Sequence, residues 1–188
     1  MIQPENPEVL SAKNEASAGH EGVYDLARIF AIYEYMIKKV KSEKISDDVE
    51  PRQFGKTIRF GGDCKSKSVL LASILESIKG KTILIWMPPF GVFPGHMVVG
   101  VKISNKSSDE KAKQLITLAI RDKYGDGPAP RFKEVLPSVG PEGTYLILDP
   151  IFRDMRSAYP GMTAISGDIS KEVIIDCVPG KKGVVPDL

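Results

Sequence analysis

The strongest constraint on the fold is a glycine pair that runs through a short polar stretch into an amphipathic helix, at residues 60–79. Apolar side chains recur there at three- and four-residue steps, which predicts a helix with one buried face. The residues on that face are Val69, Leu71, Ala72, Leu75 and Ile78. Asp63 suits the N-cap and Gly80 suits the position just past the helix end. Cys64 is therefore expected in the first helical turn.

Two interpretations of Cys64 follow from that position. The free N–H groups of a first turn, together with the positive end of the helix dipole, favour a thiolate, which makes Cys64 a candidate nucleophile. Free cysteines are also commonly small buried core residues, so Cys64 alone does not decide between the two.

Composition narrows the class of protein. A chain of 188 residues with 42% hydrophobic residues can form one domain with a core. The net charge of +2 comes with dispersed lysines and no arginine-rich run, so no nucleic-acid partner is expected. Two cysteines and two histidines leave little room for a disulfide framework or a metal centre, and no cofactor or metal is predicted. A zinc site made by Cys64, His96, Asp149 and Cys177 would lack any closely spaced ligand pair.

The chain has no run of 18 apolar residues, so no membrane-spanning helix is expected. Its first residues are polar and acidic and do not resemble a signal peptide. The default expectation for the chain as given is a soluble cytoplasmic protein.

Periodicity divides the chain into an arm, a domain and a tail. Residues 1–20 are polar and predict a flexible arm, residues 21–178 form the domain, and residues 179–188 form a tail. Within the domain, a strong amphipathic helix is predicted over residues 21–42 and a loop or short helix over residues 43–60.

The rest of the domain is predicted to consist mainly of strands. Apolar runs bounded by turn residues predict strands at 82–87, 96–103, 144–149 and 171–178. Residues 114–120 predict a further strand, with a helix as the alternative, and residues 121–143 a long loop. Helices followed by strands in hairpin-like succession indicate an α+β fold, with the cysteine helix packed on an antiparallel sheet.

Three residues of complementary chemistry stand at the ends of predicted elements. Cys64 opens a helix, His96 opens a strand, and Asp149 closes a strand before Pro150. A thiol nucleophile needs a base nearby, and that base needs a group to hold its ring. These residues can supply the three roles if the sheet register brings them together.

The motifs around these residues resemble the transglutaminase-like proteins of the papain-like cysteine hydrolase and acyltransferase superfamily. The resemblance rests on Gly62-Asp63-Cys64 entering a helix, on His96 at the head of an apolar strand, and on Leu148-Asp149-Pro150. It covers about residues 22–152 and implies a papain-like core with Cys64 as nucleophile, His96 as general base and acid, and Asp149 as orienting carboxylate.

The chain departs from the family pattern at two places. Met97-Val98-Val99 follows the histidine where the family usually has an aromatic residue. The interval from His96 to Asp149 is longer than is common, so residues 104–143 are interpreted as an excursion between paired strands. Asp122 and Asp126 are the other candidates for the carboxylate.

Other residues are candidates for supporting roles in the site. The backbone N–H of Cys64 is a natural oxyanion donor, and Gln53 is a candidate for the second. Trp86, Phe90 and Phe93 either line an acyl-binding groove or cover the core and the sheet edge. Lys65 and Lys67 either attract an acidic substrate or are solvated. Cys177 is interpreted as a core residue.

These residues lead to a functional hypothesis with open alternatives. The leading one is a thiol-dependent hydrolase, a protease, peptidase or amidase, acting on a peptide or protein substrate through a Cys64 acyl-enzyme. Transfer to a lysine amine would make the protein a transglutaminase instead. A non-catalytic transglutaminase-like binding module is an alternative from another class, and an acyltransferase of the arylamine N-acetyltransferase kind is a third.

Overall fold

The computed structural model describes residues 1–20, 25–43, 51–89, 95–127, 129–151, 160–161 and 173–176. Within these ranges it contains five helices and five strands. The helices are α1 (Pro7–Ala16), α2 (Leu26–Lys39), α3 (Phe54–Phe60), α4 (Cys64–Ser77) and α5 (Glu110–Tyr124). The strands are β1 (Thr82–Met87), β2 (His96–Ser104), β3 (Phe132–Val135), β4 (Gly143–Leu148) and β5 (Val173–Asp176). The predicted α+β class is confirmed.

The five strands form one sheet in the order β3-β4-β2-β1-β5, with every neighbouring pair antiparallel. Met87 at the end of β1 lies opposite His96 at the start of β2, and Leu148 at the end of β4 lies opposite Val99. These three strand ends therefore lie at the same end of the sheet, which we call the site edge. The excursion over residues 104–143 does connect two paired strands, as the sequence predicted.

Helix α4 packs lengthwise on β2 and β1, which confirms the predicted packing of the cysteine helix on the sheet. Near the site edge, the Ser68 hydroxyl donates to the carbonyl of Met97 over 2.9 Å. At the far end, Glu76 accepts from the backbone N–H of Thr82 over 2.7 Å. The N-terminus of α4 therefore lies at the site edge, where β2 begins.

The prediction of a flexible arm over residues 1–20 is wrong, because this segment contains α1 and packs on the other helices. Asn6 caps α1, and Val9 and Ala12 are buried one turn apart in the core that α4 shares. The carboxylate of Glu8 accepts from the backbone N–H of Gly55 over 2.9 Å, at the start of α3. Two small apolar side chains gave too weak a period to reveal this helix.

The favoured strand over residues 114–120 is also wrong, and the helix alternative is correct. Asp109 caps α5 by accepting from Ala112, and Gly125 follows its end. Tyr124 packs edge-on against Phe30 of α2, with the ring centroids 5.6 Å apart. Alternating residues over so short a segment did not distinguish a strand from a helix. Ile116 and Ile120, four residues apart, lie on the helix face that packs against the core.

The predicted long loop at 121–143 needs a correction too, because it contains the end of α5 and all of β3. Helix α2 lies within the predicted helix at 21–42, and α3 is the short helix allowed at 43–60. Strands β1, β2 and β4 match the predicted strands, and β5 lies within the one predicted at 171–178. Cys177 and the predicted tail at 179–188 lie outside the described residues. No helix in the described part of the chain is long and apolar enough to cross a membrane.

The glycine pair allows the chain that leaves α2 to pass close to the start of α4. Gly62 donates its N–H to the Lys41 carbonyl over 3.0 Å, and Glu43 donates to the Gly62 carbonyl over 3.0 Å. Gly61 has φ +92°, and a Cβ there would lie 2.7 Å from the Lys41 carbonyl oxygen. Both the backbone conformation and the close approach therefore require glycine at position 61.

We expect Gly61→Ala to destabilise the protein by more than Gly125→Ala, as measured by chemical denaturation. Gly125 has φ +82°, and a Cβ there would meet no atom within 4 Å, so its substitution carries only the backbone penalty of about 1–2 kcal/mol. Gly61→Ala adds the clash with a backbone carbonyl that cannot move aside easily. Equal losses for the two variants would contradict this account of the glycine pair.

Helix α4 ends in a Schellman motif whose left-handed residue is Lys79, with φ +67°. The N–H of Gly80 donates to the Leu75 carbonyl over 3.0 Å, and that of Lys79 to the Glu76 carbonyl over 2.9 Å. The sequence predicted Gly80 just past the helix end, but Lys79 occupies that left-handed position and Gly80 follows it.

Lys79→Gly is expected to raise the free energy of unfolding by about 0.5–1 kcal/mol, because glycine adopts a positive φ without steric cost. The measurement is the denaturation midpoint, with Gly80→Ala as a comparison at the next position. A loss of stability in Lys79→Gly would show that the side chain of Lys79 contributes more than its backbone strain costs.

Candidate active site

Helix α4 places Cys64 at the site edge as its first residue. The carboxylate of Asp63 accepts from the backbone N–H of Ser66 over 2.8 Å, so the predicted N-cap is confirmed. Cys64 is a free cysteine and is half-buried. Its position in the first turn is therefore the one that the sequence predicted.

His96 and Asp149 form a buried pair beside this helix start. The His96 Nε2 and the Asp149 Oδ2 are 2.8 Å apart, and the Cys64 thiol lies close enough to His96 to raise its pKa. Because Nε2 is taken by Asp149, Nδ1 is the ring nitrogen that is left for the thiol. The structure thus brings the three sequence-predicted residues together in the order Cys64, His96, Asp149.

Asp149 is held by partners from several elements. Its side chain is fully buried, and its Oδ1 accepts from the backbone N–H of Ile151 over 3.0 Å. The hydroxyl of Tyr33, on α2, donates to the backbone carbonyl of Asp149 over 3.0 Å. Burial, followed by the nearby Asp149 charge, raises the pKa of Tyr33, so this hydroxyl stays a donor. The carboxylate is therefore fixed in orientation towards His96.

The environment of His96 favours its protonated form. Burial lowers its pKa, but hydrogen bonds to Asp149 and Cys64 and the charges of both groups raise it more strongly. The net result is a pKa raised from 6.5 to about 9. An imidazolium at neutral pH can stabilise a neighbouring thiolate, as an activated cysteine requires.

The other two candidate carboxylates lie at the protein surface, on α5 and just after it. Asp122 lies in the last turn of α5 and Asp126 just after that helix, and both are exposed. Among the described residues, no group of three or more His, Cys, Asp or Glu side chains is arranged to hold a metal ion. Cys177, the fourth ligand of the zinc alternative, lies outside the described part of the chain.

Gln53 lies at the N-cap position of α3 and is exposed, and its side chain makes no capping hydrogen bond. The adjacent N–H of Arg52 donates to the Ser66 hydroxyl over 3.0 Å, so the start of α3 adjoins the first turn of α4. The carboxylate of Glu8, and not the Gln53 side chain, accepts from the N–H of Gly55. Gln53 is thus held near the cysteine helix with its side-chain amide uncommitted to the cap.

Trp86 packs beside the residue that precedes His96. A Cβ at Gly95 would lie 2.3 Å from two atoms of the indole ring, so the ring covers this glycine. Trp86 is half-buried against the core on the helix side of the sheet, and its Nε1 has no hydrogen-bond partner among the described residues. Phe90 and Phe93, the other residues of the predicted groove, lie outside the described residues.

Lys67 departs from both sequence interpretations, because it is neither solvated nor open to a substrate. Its side chain is fully buried, and its Nζ donates to the Ser42 hydroxyl over 3.1 Å. Lys65, by contrast, is half-buried. A signal for Lys67 did exist, since it precedes Leu71 and Ile74 by four and seven residues and so shares their helical face.

Tyr33 and Ser42 were also missed as parts of the site. The helix period marked Tyr33 only as a packing residue, and its partner, the Asp149 carbonyl, is 116 positions away in the chain. Nothing in the local sequence of Ser42 marks it. Comparison with known proteins adds no assignment, because no protein-family model and no curated protein sequence matches this chain.

The pKa of His96 can be measured directly by NMR in a His20→Gln variant, in which His96 is the only histidine. We expect titration near pH 9, and Asp149→Asn in the same background should lower the pKa by about one unit or more. Because the folded-state pKa is raised, protonation of His96 stabilises the fold below pH 6.5, and this contribution is lost as the pH rises through 9. A His96 pKa that Asp149→Asn leaves unchanged would contradict the pairing.

Proposed function

We propose that this protein is a thiol-dependent hydrolase of the transglutaminase-like class, which cleaves amide bonds through an acyl-enzyme on Cys64. The single observation that carries the proposal is the buried His96–Asp149 hydrogen bond of 2.8 Å next to a cysteine in the first turn of a helix. Neither a structural thiol nor a core histidine requires that combination. The sequence motifs add support, because they resemble those of a papain-like core.

In the first half of the reaction, the sulfur of Cys64 attacks the carbonyl carbon of a peptide or carboxamide. The proton of the thiol resides on Nδ1 of His96, and the imidazolium then gives it to the leaving amine as the C–N bond breaks. The products of this step are a free amine and a thioester on Cys64. Asp149 keeps the ring oriented throughout by accepting from Nε2.

In the second half, water attacks the thioester carbon and transfers a proton to His96. The C–S bond then breaks, the carboxylic acid leaves, and the Cys64–His96 pair is restored. A lysine amine in place of water would give a new amide by the same path. We favour water because it is the common acceptor where no amine is specifically bound, and the substrate expected is a peptide or protein.

The oxyanion of each tetrahedral intermediate needs donors close to Cys64. The Cys64 backbone N–H is one candidate, since a first-turn N–H has no acceptor within its own helix. The side-chain amide of Gln53 is the candidate for the second, and its place beside the first turn of α4 supports this role. Trp86, which covers Gly95 next to His96, is a candidate to contact the acyl group.

Thiol reactivity tests the proposal. At neutral pH, Cys64 of the wild type should react with iodoacetamide about tenfold or more faster than Cys64 of His96→Ala, because the imidazolium stabilises the thiolate. Peptide mapping by mass spectrometry separates Cys64 from Cys177. His20→Gln, which removes the other, exposed histidine, should leave the rate unchanged.

Acylation provides the second measurement. A small activated ester such as p-nitrophenyl acetate should acetylate Cys64 in the wild type and leave Cys64 of His96→Ala unmodified over the same time. Slow and equal alkylation of both proteins, with no acetylation, would indicate a non-catalytic binding module. Acetylation by acetyl-coenzyme A at a comparable rate would indicate an acyltransferase instead.

A further inference from the structure

A buried ammonium group lies behind the Cys64–His96–Asp149 site. Lys67 follows Cys64 by three residues on α4, and its side chain is fully buried. Its Nζ donates to the Ser42 hydroxyl over 3.1 Å, and that hydroxyl donates to the Ile151 carbonyl over 3.2 Å. Lys67 is therefore connected through one serine to the turn that follows Asp149.

Ile151 links this chain of hydrogen bonds to the catalytic carboxylate. Its carbonyl accepts from Ser42, and its N–H donates to Asp149 Oδ1 over 3.0 Å. The ammonium group of Lys67 also lies close enough to the Asp149 carboxylate for the two charges to attract each other. Asp149 thus faces His96 on one side and is supported by Ile151 and Lys67 on others.

Stability alone does not account for a lysine at this position. Burying an ammonium group costs several kcal/mol, and a buried ion pair is often matched or exceeded in stability by an apolar residue of similar shape. Nearby positions on the same helix, such as Leu70 and Leu71, are apolar and fully buried. The positive charge at position 67 therefore calls for a role that methionine or leucine would not fill.

We propose that Lys67 is a positioning residue of this site, which balances the charge of the Asp149 carboxylate and, through Ser42, holds the turn that aims the carboxylate at His96. A catalytic role for Lys67 depends on the proposed function. The arrangement itself is defined by the hydrogen bonds of Lys67, Ser42 and Ile151.

The charges around the pair set the direction of the effect. Lys67 faces Asp149 and the Ser42 hydroxyl, Asp149 faces Lys67 and His96, and the neutral Tyr33 hydroxyl lies at the Asp149 backbone. His96 faces Asp149 and Cys64. A cation that neutralises part of the Asp149 charge makes the carboxylate less able to hold a proton on His96. Lys67 therefore keeps the His96 imidazolium acidic enough to protonate a leaving amine.

Burial lowers the pKa of Lys67 from 10.5 to about 8, and the attraction of Asp149 opposes this change. The ammonium group is thus mostly charged at neutral pH and loses its proton over the range in which His96 still carries one. The effect of Lys67 on His96 should accordingly be greatest below pH 8.

The test is the NMR titration of His96 in the His20→Gln background, with Lys67→Met, Lys67→Gln, Ser42→Ala and Lys56→Met added one at a time. Lys67→Met removes the charge and keeps the length of the side chain. Lys67→Gln removes the charge but keeps a hydrogen-bond donor for Ser42. Lys67→Gln is used alone if Lys67→Met does not fold. Lys56 is on α3, outside the core, and its variant controls for net charge.

Because Lys67 is only partly charged where His96 titrates, we expect both Lys67 variants to raise the pKa of His96 by about a few tenths of a unit, and Lys56→Met to leave it unchanged. Ser42→Ala retains the cation and should produce a smaller shift. A merely structural lysine would not cause this change in the His96 titration.

A His96 pKa that is unchanged or lowered in the Lys67 variants overturns the inference while leaving the proposed function intact. A wild-type His96 that titrates near 6.5, with slow Cys64 alkylation, overturns the proposed function instead. The two failures are distinguishable because the first is read against Lys56→Met and the second against His96→Ala.

Discussion

The fully buried carboxylate of Asp149 is the constraint on which the site depends. An unpaired carboxylate in the core would cost several kcal/mol, so the fold must bring partners to it. Those partners come from separate parts of the chain: His96 from β2, the Ile151 N–H from the following turn, and the Lys67 charge from α4. Only a structure in which α4, β2 and β4 meet at one edge of the sheet satisfies all of them together.

The segment between α2 and α3 connects both ends of the site. Ser42 forms a parallel bridge with Gly62, two residues before Cys64, and its hydroxyl also bonds to the turn after Asp149. Gly61 permits this approach because any side chain there would meet the Lys41 carbonyl. The glycine pair before α4 thus lets the segment after α2 contact both the cysteine end and the carboxylate end of the site.

Periodicity predicted the elements that carry the site, because α4, β1, β2 and β4 have apolar patterns long enough to distinguish helix from strand. It failed for α1 and α5, whose buried faces are short and whose packing partners lie far away in sequence. The triad could be proposed from residue types and strand ends, but the register that brings Asp149 to His96 is a tertiary property. Lys67 was misread because a charged residue was assumed to be solvated, although its helical phase placed it on the buried face.

In the proposed mechanism, the same contacts let His96 act as an acid in one step and as a base in the next. Its raised pKa depends partly on the hydrogen bond and charge of Cys64. Those contributions disappear when Cys64 becomes a thioester, because the sulfur then carries no negative charge. The pKa of His96 should therefore fall in the acyl-enzyme, towards the value at which a neutral imidazole can accept a proton from water. Asp149 is common to both steps, so a partner that limits its charge, such as Lys67, favours this second role of His96.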